Sequence, residues 1–231
     1  MDDIDVGAVY AEGRCRVEAL VADLPHEQAT MTVPACPDWR VQDLVAHMSG
    51  VCADVLAGRL DGAGTDPWTA TQVSARYDRD LSEIVAEWNE NAPRVEAVAQ
   101  DFGPAGRQLV FDFFTHEQDL RGALGAPGAR DCAACEIALE FIVPGFEAAA
   151  ARSGLRPLRL VTGSRVWAPA GVESAEPTET LTIEPFEFLR AATGRRSATQ
   201  IRAFDWSTDP EPYLAAFTVG PFTPRSTDLV E

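Results

Sequence analysis

Apolar residues recur every three or four positions through the first two thirds of the chain, and this spacing predicts a series of amphipathic helices. The clearest run lies between Leu81 and Val98. Similar runs cover Val6 to Leu24, Val41 to Val55 and Leu109 to Leu124, and a fifth helix is predicted from Asp131 to Gly154. Helices of this kind, joined by short loops, pack as an up-and-down bundle.

The pattern changes at Gly154. Beyond it, short segments rich in Val, Ile and Thr are separated by Pro and Gly, which is typical of strands; they cover residues 158–162, 166–167, 180–183 and 201–206. A helix is predicted after Pro185. The predicted fold class is therefore α plus α+β, with an N-terminal up-down helix bundle over residues 1–153 and a small C-terminal α+β domain over residues 154–231.

Composition limits the possible partners. The chain has 231 residues, of which 46% are hydrophobic, and a formal net charge of -17. Nucleic acid and anionic membrane surfaces are excluded as partners, because both attract clustered positive charge. The acidic N-terminus and the lack of an apolar run of roughly 18 residues favour a cytoplasmic protein. The five cysteines are odd in number and scattered, which disfavours a disulfide framework.

The chain has only three histidines, and two of them lie in predicted helices. His47 falls at the border of an apolar helix face, while Asp112 and His116 lie one turn apart beside another. A carboxylate and an imidazole at this spacing can meet a second imidazole at one divalent ion, and three such ligands leave a coordination position open. Asp119 lies on the same strip and could orient His116. On spacing alone, an ion pair at a helix edge beside an unrelated core histidine explains these residues more simply.

Three segments carry a resemblance to a known family. They are Val33-Pro-Ala-Cys-Pro-Asp-Trp-Arg-Val-Gln-Asp-Leu-Val-Ala-His47, Asp112-Phe-Phe-Thr-His116-Glu-Gln-Asp-Leu-Arg-Gly-Ala-Leu-Gly125 and residues 184–196. Together they resemble the mycothiol-dependent maleylpyruvate isomerase family, within the DinB/YfiT-like metalloenzyme superfamily. The resemblance implies a DinB-like bundle that holds a divalent metal, with zinc the expected ion, through His47, Asp112 and His116. Asp112 stands where the founding enzyme has Glu, so its carboxylate reaches less far from the helix.

The resemblance also implies a reaction class. Mycothiol or a similar low-molecular-weight thiol would serve as cofactor or co-substrate, and the protein would be an isomerase or an S-transferase acting on a small electrophilic molecule. A non-catalytic metal- or ligand-binding protein that keeps the DinB-like fold is the alternative. The sequence does not separate the two reactions, names no catalytic residue, and is compatible with a monomer or a homodimer.

Other polar residues have two possible roles each. Glu117 lies within the apolar arc of its helix and needs a partner there, either an Arg or the metal site. Asp43, one turn before His47, is expected to favour the helix N-terminus, with a place beside the metal as the alternative. A group of arginines could bind the thiol or an acidic substrate at a cleft between the two predicted domains, or could pair with Glu184, Glu187 or Asp205; it comprises Arg190, Arg195, Arg196 and Arg202.

Overall fold

The computed structural model describes residues 4–168 and 179–231. The contacts between Cα atoms divide the chain into two units, of which the first runs to Gly128 and includes Glu231, and the second runs from Ala129 to Val230. This division places the fifth long helix in the second unit. The predicted boundary at residues 153 and 154 marks instead the change from helices to strands, and as a domain definition it stays a prediction.

The first unit is built on four long helices that pack on one another. They are α1 (Val6–Val21), α3 (Val41–Ala57), α5 (Leu81–Glu96) and α6 (Pro104–Leu124). Their apolar faces bury a shared core with aromatic side chains at its centre, where the rings of Tyr10 and Trp88 lie 5.0 and 6.2 Å from that of Phe113. These helices confirm the four predicted from the apolar spacing.

Helix ends in this unit are fixed by local hydrogen bonds. The Asp5 carboxylate accepts from the backbone N–H of Ala8 at the start of α1, and the Glu83 carboxylate accepts from the backbone N–H of Asp80 at the start of α5. Such caps pair backbone donors that a helix leaves unsatisfied in its first turn. They set where each helix begins, and so the register of the side chains that it carries.

Smaller elements of the first unit lie between the long helices. They comprise α2 (His26–Ala29), β1 (Thr32–Val33), β2 (Cys36–Arg40), α4 (Asp66–Ser74) and a 3-10 helix over Ala99–Phe102. Strands β1 and β2 form an antiparallel hairpin that runs directly into α3. Helix α4 packs against α3. The apolar spacing predicts neither the hairpin nor α4.

The second unit joins helices to a four-stranded sheet. Its elements are α7 (Ala133–Arg152), β3 (Leu158–Thr162), β4 (Arg165–Trp167), β5 (Glu179–Ile183), α8 (Pro185–Ala192), α9 (Ala198–Arg202), β6 (Asp205–Trp206) and a 3-10 helix over Glu211–Phe217. The strand order is β4-β3-β5-β6, with β3 and β5 parallel and both edge strands antiparallel.

These elements confirm the predicted fold class. The strand predicted over residues 201–206 is wrong in its first half, because Ser197 caps α9 and the chain is helical to Arg202. Among the described residues, no helix has the length and apolar character needed to cross a membrane.

Candidate metal centre

Three side chains from two helices of the bundle converge on one point. His47 comes from α3, and Asp112 and His116 come from successive turns of α6. The two Asp112 carboxylate oxygens lie 3.2 Å from His47 Nε2 and 3.7 Å from His116 Nε2. One ligand atom from each of the three residues lies within 4.8 Å of the others. We call this group the His-Asp-His cluster.

Hydrogen bonds of the Gln72 side chain determine which nitrogen of His47 faces the cluster. The Asp54 carboxylate can only accept, so Gln72 Nε2 donates to it over 2.8 Å and Gln72 Oε1 is left facing His47 Nδ1 at 2.7 Å. Nδ1 of His47 therefore carries a proton, so Nε2, which lies 3.2 Å from Asp112 Oδ2, is the nitrogen that would bind a cation. Arg59 holds the other oxygen of Asp54 at 2.8 Å.

His116 is oriented in the same way by a carboxylate on its own helix. Its Nδ1 lies 3.0 Å from Asp119 Oδ2, and Asp119 is fully buried. Nδ1 donates to this oxygen, which directs the Nε2 lone pair toward Asp112. The same oxygen accepts from the Cys36 thiol at 3.3 Å. Cys36, His116 and Asp119 form a second group with donor atoms close enough to hold an ion.

The donor set fits a divalent transition metal. Ligand atoms around a tetrahedral zinc ion with bonds of about 2.0–2.1 Å are separated by roughly 3.3 Å, and the two separations from Asp112 are 3.2 and 3.7 Å. Two imidazole nitrogens and one carboxylate oxygen are ordinary ligands for zinc, and each imidazole is held at its far nitrogen by an acceptor. The cluster therefore matches an open, three-ligand site.

The pKa values of the two imidazoles move in opposite directions. Burial lowers the pKa of His47, but the charge and hydrogen bond of Asp112, the hydrogen bond of Gln72 and the charge of Asp54 together outweigh burial, so the net pKa is raised. Burial dominates at His116, where it outweighs Asp119 and lowers the pKa. The Asp112 carboxylate thus favours a positive charge at the position that a cation would take.

Two local features bring the surrounding residues close. The β1–β2 hairpin places the Trp39 ring 5.3 Å from that of His47 and 5.5 Å from that of His116, so it covers one side of the cluster. Gly50 lets α4 approach α3, since a Cβ atom at this position would lie 2.5 Å from the Cβ of Gln72. A larger residue at position 50 would push Gln72 away from His47.

Two predicted neighbours of the metal have other roles in the structure. Asp43 accepts from the backbone N–H of Arg40 at 2.8 Å and pairs with the Arg40 guanidinium, so it caps α3. Glu117 is fully buried and forms ion pairs with Arg16 and Arg121 at 2.8 and 3.0 Å. These bonds agree with the expected structural roles, which are stabilisation of the helix N-terminus by Asp43 and pairing with Arg by Glu117. The contacts do not support a place beside the metal for either residue.

The predicted arginine group lies in the second unit; its members are Arg190, Arg195, Arg196 and Arg202. Arg196 binds both oxygens of Glu187, at 2.7 and 2.8 Å. Arg202 binds both oxygens of Glu211, at 2.7 and 3.0 Å. Arg190 is buried, and Arg195 donates to the carbonyl of Thr193. A role of this group in thiol or substrate binding stays a prediction.

An apolar pocket of about 400 Å³ lies beside the cluster within the first unit. Asp112 belongs to both, and its side chain is 36% exposed whereas that of His47 is 2% exposed. The indole of Trp68 on α4 lines the pocket, and its ring centroid lies 6.5 Å from that of His47 in a T-shaped arrangement. A molecule in this pocket therefore lies next to the carboxylate of the cluster.

Sequence reasoning missed the residues that α4 contributes. Gln72 and Trp68 lie on this helix, and Asp54 near the end of α3 supports Gln72. Asp66 followed by Pro67 is a helix-start signal that could have revealed α4. No local signal links Gln72 to His47, because that contact depends on how two helices pack.

The bundle and its cluster define a class: helical proteins with an inward-facing set of two histidines and one carboxylate. Comparison with known families agrees, since residues 10–133 match the model described as "Mycothiol maleylpyruvate isomerase N-terminal domain". This match covers more than half of the chain, and the chain belongs to that family.

Solved structures share the fold. A crystal structure of the mycothiol-dependent maleylpyruvate isomerase superposes with a TM-score of 0.54, and one of a histidine-to-alanine mutant of that enzyme with a TM-score of 0.56. Each is 11% identical to this chain, with 88% of this chain and 92% of the other covered. At this identity the likeness shows the fold alone. No curated protein matches the chain.

Proposed function

We propose that the protein is a divalent-metal-dependent enzyme that uses a low-molecular-weight thiol of the mycothiol type, as an isomerase or an S-transferase on a small electrophile. The observation that carries this proposal is the convergence of His47, Asp112 and His116, with both imidazoles held by buried acceptors. Membership of the family supplies the thiol and the reaction class. Zinc as the ion, cytoplasmic location and the choice of monomer or homodimer stay predictions.

Each residue of the cluster has a defined task in this proposal. Gln72 and Asp119 face Nδ1 of His47 and of His116, so Nε2 of each ring is the nitrogen that would bind the ion, in place of a proton shared with Asp112. Asp112 supplies one negative charge and borders the apolar pocket. A divalent ion, when bound, supplies the positive charge that lowers the pKa of a thiol, so that thiolate forms near neutral pH.

The surroundings of the cluster favour thiolate chemistry. The Trp39 ring covers one side of the cluster, Trp68 belongs to the apolar wall beside it, and both imidazoles are buried. In such an environment charge interactions are stronger than in bulk water. The chain thus provides an apolar binding place for an electrophile beside Asp112, one of the three proposed ligands.

The test compares the three histidines of the chain. His47→Gln and His116→Gln are expected to lose bound metal and the thiol-dependent turnover of small electrophiles, assayed with maleylpyruvate and with its uncharged analogues, whereas His26→Gln, at an exposed position in α2, is the matched control and retains both. Metal is measured by elemental analysis after reconstitution, and turnover with purified mycothiol. Metal-loaded protein that turns over no electrophile with any thiol tried would contradict the proposal.

The non-catalytic alternative has one observation in its favour. The short arm of Asp112 allows a direct hydrogen bond from His47 Nε2 at 3.2 Å, which closes the cluster without an ion. A protein that binds no metal on reconstitution, and no thiol, would fit this alternative.

A further inference from the structure

The pocket beside Asp112 has walls of one chemical kind. Its lining includes six large apolar side chains drawn from α3, the following loop, α4, the 3-10 helix and α6, namely Val51, Val55, Leu60, Trp68, Phe102 and Leu109. Leu60 and Phe102 are 49% and 36% exposed, which is high for residues of this type. These walls offer a ligand apolar contact over most of its surface.

The polar part of the lining is equally informative. Its side chains with hydrogen-bonding groups, apart from the Trp68 indole, are Gln108 and Asp112. The Trp68 N–H is already engaged, because it donates to the backbone carbonyl of Arg59 over 2.9 Å. Among the described residues that line the pocket there is no Arg or His, and the one charged group is an acid.

This charge pattern disfavours an anionic substrate. A carboxylate that enters an apolar pocket loses its hydration and needs a cation or several donors in return. Maleylpyruvate carries two carboxylates. A divalent ion beside the Asp112 carboxylate would leave a single net positive charge for both of them. The net charge of -17 also repels a dianion as it approaches.

We infer that the substrate of this site is an uncharged, apolar electrophile, such as a conjugated diester or enone, and not a dicarboxylate. This inference rests on the proposed function and narrows its substrate class. The electrophilic carbon lies near Asp112 and the thiol, while the apolar substituents occupy the wall formed by Val51, Val55 and Leu109. Among the described residues of the lining, Gln108 carries the one side-chain amide that could donate to an ester carbonyl.

A matched pair of electrophiles tests the inference. Maleate and dimethyl maleate share the same cis double bond and differ in charge, and diethyl maleate adds apolar surface. Isomerisation forms and then breaks one carbon–sulfur bond, so it converts the cis ester to the trans ester and leaves the thiol concentration unchanged. Transfer keeps that bond and moves the thiol proton to the neighbouring carbon, so one thiol is consumed for each adduct. Both outcomes are measured, and each enzymatic rate is divided by the rate of the free thiol with the same electrophile.

The expected result is a preference for the esters. The normalised kcat/KM for dimethyl maleate exceeds that for maleate by about tenfold or more, and each added methylene that enters the pocket improves it by up to about fourfold. Binding is measured separately on the full chain, with and without zinc, by ligand-observed NMR. The esters bind in both forms, and maleate binds more weakly in both.

A pair of charge variants locates the effect. Gln108→Arg adds a cation to the lining, and Ala86→Arg adds the same charge on an exposed position of α5 outside it. Gln108→Arg is expected to shift the ester-to-maleate affinity ratio toward maleate by about threefold or more, while Ala86→Arg leaves the ratio unchanged.

The outcomes separate this inference from the proposed function. Turnover or binding of maleate or maleylpyruvate equal to or better than that of the esters overturns the inference and leaves the proposed function standing. Binding of the esters without turnover of any electrophile supports the pocket assignment and contradicts the proposed function. Failure of the esters to bind either form of the protein overturns the inference outright.

Discussion

Replacement of Gln72 by methionine tests whether this residue sets the protonation of His47. Methionine fills a similar volume in the contact between α3 and α4 but cannot accept from His47 Nδ1, now 2.7 Å away, or donate to Asp54. The His47 ring is 2% exposed, so its unpaired N–H would cost about 1–3 kcal/mol. The ring avoids this cost by moving the proton to Nε2, where Asp112 accepts it.

That change occupies the nitrogen that a metal needs. Loss of a partner that orients a ligating histidine lowers metal affinity by about 10–100-fold, which corresponds to about 1.4–2.7 kcal/mol. We expect a loss of this size in the zinc affinity of the Gln72→Met protein, measured by titration against a chromophoric chelator. Urea unfolding of the metal-free protein measures its stability in parallel.

A second buried glutamine provides the control. Gln118 on α6 is 3% exposed and donates to the carbonyl of Gly128 at 3.3 Å, away from the three residues of the cluster. Gln118→Met should lower the free energy of unfolding by about 1 kcal/mol and leave zinc affinity near that of the native protein. Equal zinc affinities in both variants and the native protein would refute the role assigned to Gln72.

Three further predictions concern a buried carboxylate, a close contact between two helices and a buried thiol. Glu117→Gln should lower the free energy of unfolding by about 1–3 kcal/mol, because it removes the buried carboxylate that pairs with the partly exposed Arg16 and Arg121, while metal content stays unchanged; a loss of metal at full folding would assign Glu117 to the metal site after all. Gly50→Ala should weaken zinc binding despite the better helix propensity of alanine, because its Cβ meets Gln72; unchanged affinity would show that α4 can shift without consequence. Burial raises the pKa of the Cys135 thiol to about 12, so the unfolded chain releases this proton first and stability falls by about 1.4 kcal/mol per pH unit as pH rises from about 9 toward 12. Cys135→Ala should reduce the slope of stability against pH in urea unfolding and leave the part that Cys52 and Tyr10 contribute, whereas Cys15→Ala, at an exposed position, should not change it; identical slopes in the two variants would falsify the assignment.

The long helices could be predicted from sequence because their signal is local. Each carries an apolar stripe over several turns, and the same stripe placed His47, Asp112 and His116 at the borders of buried faces. Helix α4 carries no such stripe, since Gln72 is its only buried residue. Its position depends on the approach that Gly50 allows, and that is a tertiary property.

The roles of the polar neighbours could be predicted only where the contact lies within one segment of the chain. Asp43 caps α3 through a bond to Arg40 three residues earlier, and a contact of that kind is readable from spacing. Asp119 lies one turn after His116, so its bond to Nδ1 could also be anticipated. The hydrogen bonds that link Asp54 through Gln72 to His47 join two helices, so they could not be predicted from spacing within one helix.

The pocket adds what neither spacing nor family membership provides. Its lining comes from five segments of the first unit, which lie far apart in the sequence, between Val51 and Asp112. Their shared apolar character is visible only when the fold brings them together. The resemblance to a maleylpyruvate isomerase points to an anionic substrate, whereas the lining favours an uncharged one.

The central claim is that His47, Asp112 and His116 hold one divalent ion. Anomalous diffraction at the zinc edge, from crystals of protein reconstituted with zinc, tests it most directly. We expect one strong peak at about 2.0–2.2 Å from Nε2 of His47, Nε2 of His116 and a carboxylate oxygen of Asp112. A peak held instead by Cys36, His116 and Asp119, or the absence of a peak in zinc-saturated crystals, would contradict it.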